Sequence, residues 1–541
     1  MNRVPWLTLV LVVPLGAAVL LQMVPRGRTR AIKGLTFAAL LAVAGIVAGV
    51  LLAFVHSPDP TTSPAALLGG GSRPSPITFQ FQEQHDWIPA IGASYHLGID
   101  ALSGWLLALD AGVFLLGALV LARRETQRLR FYCGLLLITF TATAGVLLSL
   151  DLLLFYLFWE AMLIPLYFLL TSYGDQNRGR ATLKFVVYTV AGSLAMLLAI
   201  IWLYSQSLSA LPPQAGGAAH GTFDFLTLMV TPVPNQQPAT IFGISTLTPQ
   251  QWAFMAFALA FAIKVPLVPF HTWLPDSYTS APPQALTFFA GIVSKLGAFG
   301  FARYAITLFP GPAHDYRWVF IALAILSILY GALMALSQYD IKRIVAYSSI
   351  SHLGFIVLGI FSFNANGLNG AIIQMVNHGL VIAALFLIAG WIEDRTGTRD
   401  IREITGLEMR MPLLYGFFLI VTLAALGMPG MNTFVGEFTI MLGAFQAAPV
   451  LAVLAGVGVV LACWYMLRLH QGVMHEPPSP TAERVPDLRP REALVMAPLV
   501  ALMFTIGLYP HPFGAVSSTN VTQYESVVNA PQQAATSQAA Q

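Results

Sequence analysis

Long apolar runs, each about 20 residues, follow one another along most of the chain, separated by short polar or proline-containing stretches. At 1.5 Å per helical residue a run of that length matches the hydrocarbon thickness of a bilayer. The pattern predicts helices at about 5–24, 35–55, 100–122, 131–149, 151–173, 183–205, 251–271, 283–308, 316–337, 341–362, 367–391, 412–446, 448–470 and 492–509. The expectation is an all-α polytopic membrane protein with about fourteen transmembrane helices. Pro266 and Pro269 interrupt the seventh helix and Pro429 the twelfth, where a span plus a re-entrant piece is the other reading of 412–446. The first run has the basic residue and apolar core of a signal peptide. It is also long enough to cross and carries a basic flank at its far end, so it reads as a retained span.

The loops test this count. Those after odd-numbered spans carry Arg26, Arg28, Arg30 and Lys33; Arg123, Arg124, Arg128 and Arg130; and Arg178, Arg180 and Lys184. They continue with Lys342 and Arg343; Arg395, Arg399, Arg402 and Arg410; and Arg468, Arg484, Arg489 and Arg491. Arg3, Arg73, Arg303 and Arg317 fall to the opposite side. Basic residues collect on the inner face of membrane proteins, so both termini are expected on the outer, periplasmic side of the cell's inner membrane. One miscounted span would scramble the segregation.

Composition agrees: the 541 residues are 57% hydrophobic and 9% charged, with mean hydropathy +0.72. The net charge of +3 is small and says little about partners, among which no nucleic acid is expected; the two cysteines, Cys133 and Cys463, fall in separate apolar runs, offering no disulfide framework or metal motif. In the outward loop at about 56–99, the alternation of Ile77, Phe79 and Phe81 predicts a small surface hairpin at about 77–97. The loop at 206–250 reads as an irregular cover, and the Gln/Ala/Ser-rich tail 517–541 as disordered.

Against this background Glu160, Lys264, Lys295 and Glu437 stand out, because each puts a charge inside an apolar run. Such a charge costs about 2.5–3.5 kcal/mol at the centre of a membrane helix, so it normally faces a bundle interior with a polar partner. Pro266 and Pro269 deny helical bonds to the carbonyls of Ala262 and Val265, which makes the break beside Lys264 a candidate ion site. Burial disfavours a lysine's charged form and a nearby carboxylate favours it, so moving the partner frees a proton. His352 and His378 sit among polar residues within spans and suit a relay; His271 is a third candidate or an interfacial residue at a helix end. Asp110 reads as a local hydrogen-bonding group. Two spans interrupted by proline, one before Lys264's loop and one before Glu437, are also a pointer to internal inverted repeats.

The stretches FWEAMLIPLY, KVPLVPFHTWLPDSYTSAP, KLGAFGFARY, DIKRIVAYSSISHLGF and GMPGMNTFVGEF resemble the antiporter-like membrane subunits of proton-pumping NADH-quinone oxidoreductase, respiratory complex I, most closely its M-type (chain 4) branch. The resemblance runs from about residue 94 to 470. It implies two inverted five-helix repeats, broken helices 7 and 12, and a hydrophilic axis. By motif position Glu160, Lys264 and Lys295 match the acidic and basic residues of helices 5, 7 and 8. Glu437 matches the helix-12 glutamate that separates M-type from the lysine-bearing L- and N-type subunits, and His352 and His378 match axis histidines. The implied organisation is three N-terminal helices with the hairpin (1–122), helices 4–8 (123–310), helices 9–13 (311–472), and helix 14 (473–516). The implied activity is proton translocation, as a translocase subunit with no redox centre of its own. FMN, iron–sulfur clusters and quinone would belong to other subunits, with L- and N-type neighbours and the lipid bilayer as partners. A cation/proton antiporter or membrane-bound hydrogenase subunit shares the fold, and a non-pumping scaffold or a free-standing carrier would be of another class.

Overall fold

The computed structural model describes residues 4–56, 77–121, 126–175, 177–210, 221–231, 238, 240–241, 244–245, 247–481 and 485–539. Arg3, Arg73, Arg123, Arg124 and Arg484, and 211–220 and 232–237 of the long loop, lie outside them.

Two helices, α1 (Trp6–Met23) and α2 (Thr29–His56), lead to strands β1 (Gln80–Ile88) and β2 (Ala93–Ile99), and then to α3 (Ala101–Leu121) and α4 (Leu129–Leu148). Next come α5 (Leu152–Tyr173), α6 (Arg178–Ala210), a short α7 (Phe225–Val230), α8 (Pro249–Lys264), α9 (Trp273–Ser280) and α10 (Pro283–Leu308). The second half has α11 (Pro310–Asp315), α12 (Arg317–Ser337), α13 (Ile341–Phe361), α14 (Ala365–Thr396), α15 (Pro412–Ala425) and α16 (Asn432–Ala447). The chain ends in α17 (Pro449–Met474), α18 (Pro490–Leu508) and α19 (His511–Ala539).

Twelve of these helices are long and apolar enough to cross a bilayer. The apolar stretches of α10 and α14 are entirely buried, whereas only about a third of those of α2, α17 and α18 is. The bundle interior therefore lies around α10, α13 and α14, with lipid-suited surfaces on the flanks.

Charged loops gather at one end. Arg399 reaches Asp175 at 3.2 Å and Asp340 at 3.2 Å, Lys184 meets Asp276 at 2.8 Å, and Lys342 meets Glu393 at 2.7 Å. Hairpin, α7 and α19 cover the other end. Antiparallel β1 and β2 place Glu83 over the start of α1, where its carboxylate accepts the Leu7 and Thr8 amides at 2.7 and 2.9 Å. These amides have no intrahelical acceptor, and a carboxylate there also suits the helix dipole.

Three expectations need correction. The hairpin spans 80–99 rather than 77–97, and β2 is mostly buried; Ile77 and Phe79 precede the strand, each 1% exposed. The loop at 206–250 is shortened, because α6 runs on to Ala210 and α7 follows. The tail from 517, expected to be disordered, is the body of α19. Its composition is poor in large apolar residues, yet Tyr524 and Val528 are buried, and Gln523 accepts from the Thr78 amide at 3.1 Å.

Candidate functional site

Asp151 caps α5, accepting the Leu153 and Leu154 amides at 2.9 and 3.1 Å. The helix is interrupted at Met162, where Pro165 leaves the Ala161 carbonyl without its usual donor. Glu160 sits two residues before that interruption, half-buried, with Oε1 buried and without a hydrogen-bond partner. Lys264 ends α8 at 1% exposure, its Nζ likewise unbonded, 5.1 Å from the Trp159 ring and 5.7 Å from that of Phe185. The ammonium thus faces π-clouds, which replace part of its hydration. Glu160 is the carboxylate that acts on it, across a gap wider than an ion pair.

The break after Lys264 is largely self-satisfied. The Leu267 amide donates to the Ala262 carbonyl at 2.9 Å, the Trp273 indole to the Ile263 carbonyl at 2.8 Å, and the Val268 amide to Ser327 Oγ at 2.9 Å. The Ala262 carbonyl expected to be free for an ion is therefore occupied. In the second broken helix, Gly427 (φ +73°) and Gly430 (φ +91°) flank Pro429 in left-handed conformations that suit glycine.

Lys295 is fully buried in α10, where Phe289–Val293 and Phe301–Ala305 are wound as π-helix. Its Nζ donates to the Ala290 carbonyl, five residues back, at 2.6 Å. Such π segments are often found at functional sites. Gly297 lets α10 lie against the break of α8: a Cβ there would stand 2.8 Å from the Phe261 carbonyl oxygen. The two lysine-bearing helices are thereby in backbone contact.

Further polar groups lie within electrostatic reach of Lys295. His378, on α14, is buried with both ring nitrogens unbonded and has Lys295 and His352 as its ionisable neighbours. Its ring centroid is 5.6 Å from that of His352, whose Nδ1 lies 2.6 Å from Glu437 Oε1. A carboxylate only accepts, so Nδ1–H donates and Nε2 of a neutral ring accepts from the Tyr465 hydroxyl at 3.2 Å. Gln374 Nε2 donates to the same Glu437 oxygen at 3.1 Å.

Of the seven residues singled out in the sequence as proton carriers, Glu160 and Lys264 form one group, and Lys295, His378, His352 and Glu437 another. His271 joins neither. It is buried beside the α8 break, its ring 5.0 Å from that of Tyr330 and its neighbour Thr272 bonded to Lys184. Asp110 accepts from the Thr143 hydroxyl at 2.9 Å, the local bond expected of it. Sequence reasoning missed Gln374, although it lies one turn before His378 on the same helix face, and Tyr465, a lone hydroxyl within α17. It also missed a buried cluster at the hairpin end, where Arg303 pairs with Asp100, both fully buried, and Tyr524 donates to Asp100 Oδ2 at 2.8 Å.

Residues 149–462 match the family model described as NADH:quinone oxidoreductase/Mrp antiporter, TM. The chain is 36% identical to NADH-quinone oxidoreductase subunit M of Mycobacterium tuberculosis over 542 residues, 95% of this chain and 92% of that protein. It is 38% identical over 444 residues to subunit M of Pseudomonas aeruginosa, covering 80% and 83%. Among solved structures, a chain of respiratory complex I from Thermus thermophilus with bound NADH superposes with TM-score 0.80 at 30% identity, covering 96% of this chain and 99% of that one. A chain of the Mrp complex from Dietzia sp. DQ12-45-1b gives TM-score 0.74 at 24% identity, a likeness of fold, covering 98% and 100%.

Proposed function

We propose that this chain, which belongs to the NADH:quinone oxidoreductase/Mrp antiporter transmembrane family, is the proton-translocating subunit M of an NADH-quinone oxidoreductase. The observation that carries the reading is the series of half-buried Glu160 and buried Lys264, Lys295, His378, His352 and Glu437 inside a bundle of membrane-crossing helices. Counting α8 with its break, and α15 with α16, as one interrupted crossing each gives fourteen. Helices 4–8 and 9–13 are then the two inverted repeats. NADH oxidation at FMN, iron–sulfur electron transfer and quinone reduction belong to other subunits, and the L- and N-type subunits are the membrane neighbours. Basic loops face the cytoplasm and both termini the outer side of the inner membrane.

In this reading Lys264 and Lys295 hold protons whose retention depends on neighbouring charge. Glu160 near Lys264 favours the ammonium; withdrawal or neutralisation of that carboxylate leaves a desolvated cation that sheds its proton. On the far side His352 carries a proton between Tyr465 and Glu437, since an imidazole can accept at one nitrogen as it releases from the other. Each proton moved against ~100 mV requires about 2.3 kcal/mol, delivered by redox chemistry in the other subunits.

The test is proton pumping with quinone reduction in membranes carrying Lys264→Ala or Glu160→Ala, with assembly checked on a native gel. Assembled complex that has lost both activities supports a coupled proton path. Assembled complex that pumps normally refutes it and favours a scaffold. A sodium requirement for activity would favour a cation/proton antiporter.

A further inference from the structure

We propose that the seam between α15 and α17 is a second proton branch, joining Glu437 to the charged end of the bundle through His470, with His475 and Glu408 as its surface terminus. The inference rests on the function proposed above and adds residues that function does not use.

His470 lies near the end of α17 at 2% exposure, and its Nε2 has no hydrogen-bond partner. The rings of Phe418 and Tyr415, both on α15, stand 5.0 and 5.5 Å away, and that of His475 stands 5.3 Å away. His475 Nδ1 is 2.6 Å from Glu408 Oε2, and both side chains are more than a third exposed. Water therefore reaches the pair, and the pair borders the buried imidazole. His475 and Glu408 are the charged groups acting on His470, with Tyr415 facing it from α15. Arg468, two residues before it and so on the opposite face of α17, is turned to the Leu336 carbonyl and the Tyr339 ring on the α12 side.

A second buried polar group continues the seam inward. Thr422 lies one turn beyond Phe418 on the same face of α15, fully buried, its hydroxyl unbonded. Helical threonines elsewhere in this chain, Thr139 and Thr189 among them, donate to the carbonyl four residues back. Thr422 does not. One further turn brings the break, where the Leu426 carbonyl accepts Cys463 Sγ–H at 3.7 Å and Gly427 borders Glu437 so closely that a Cβ would stand 3.3 Å from Oε2. Cys463 and His470 are seven residues apart on one helix, roughly 10 Å. Buried polar groups left unbonded call for an explanation, and ordered water bonded to several of them is a common one. Waters linking Nε2 of His470 to Thr422, and Thr422 to the Glu437 carboxylate, would complete a proton-conducting line. The step involves no redox change: His470 takes a proton from the surface pair at one nitrogen and releases one inward from the other.

The test uses the assembled complex in inverted membrane vesicles, comparing His470→Gln, His470→Phe and Glu437→Gln by NADH-driven pumping across the pH range. With the branch present, Glu437→Gln abolishes pumping. Both His470 variants then slow it at least about tenfold near neutrality, with recovery as the pH falls and protons become abundant. If Glu437→Gln stops the pump but the His470 variants work like wild type, or are slowed by one constant factor at every pH, the branch is refuted and the proposed function stands. If Glu437→Gln pumps normally, both fall. Should the His470 variants fail to assemble, the surface double variant Glu408→Gln/His475→Gln decides by the same pH profile.

Discussion

Replacing Arg303 by methionine leaves Asp100 in a site built for an ion pair. Both side chains are fully buried. The guanidinium also donates to the Leu147 carbonyl at 3.1 Å and lies 4.9 and 4.7 Å from the Phe79 and Phe299 rings. Removing one partner of a buried pair costs about 3–5 kcal/mol, because the other charge stays desolvated. The cost falls on α19, since Tyr524 bridges Arg303 and Asp100, and Asn520 accepts the Ala101 amide at 3.0 Å. With 1.4 kcal/mol per factor of ten, α19 amides around Tyr524 should exchange with solvent roughly 10²- to 4 × 10³-fold faster in Arg303→Met. Hydrogen exchange of the assembled complex, read by mass spectrometry on 517–530 peptides, measures this. The double variant Arg303→Met/Asp100→Leu should recover most of the loss, as apolar replacements of a whole buried pair usually do. Unchanged exchange in the single variant, or a double variant no better than the single, would refute the assignment of this pair as the anchor of α19.

Three further outcomes are expected. Gly297→Val drives a side chain into the Phe261 carbonyl and the Val265 amide, each 2.8 Å from the Cβ position, and should abolish assembly on a native gel; Gly112→Ala, which meets nothing within 4 Å, should not. Glu83→Gln removes the charge that caps α1 and should destabilise its first turn by about 1 kcal/mol, read as faster exchange at Leu7 and Thr8. At Asp224, burial opposes ionisation, but His96, 2.6 Å away, holds the carboxyl below its ordinary value with help from Thr227. A lowered carboxyl stabilises the fold above its unfolded pKa and loses that contribution as pH falls through the folded one, so α7 should loosen only below about pH 4. Loosening that began above pH 6 would contradict this.

Glu160, Lys264, Lys295 and Glu437 were legible because a charge within an apolar run is anomalous in one dimension: the transfer cost belongs to the residue itself. The helix breaks were legible for a similar reason, since proline removes its donor wherever it stands. Arg303, an equally buried charge, was assigned to a flank because it lies late in its run. Its burial comes from Asp100 and Tyr524, more than 200 residues away in either direction. The tail misled in the same way: its composition gives little to bury, and it is the partners offered by Thr78, Ala101 and Asp100 that order it.

Hydropathy, proline placement and the distribution of arginine thus settle that this is a many-helix membrane chain with charges inside it, because each is a property of single residues or local runs against a uniform bilayer. Which charges meet is a property of packing. That His378 stands 5.6 Å from His352, that Tyr465 and Gln374 complete the Glu437 site, that His271 stands apart, and that His470 is buried against Phe418, Tyr415 and His475 were decided by the tertiary structure. Hydrogen bonds reach about 3 Å, and only the folded bundle brings residues distant in the chain that close.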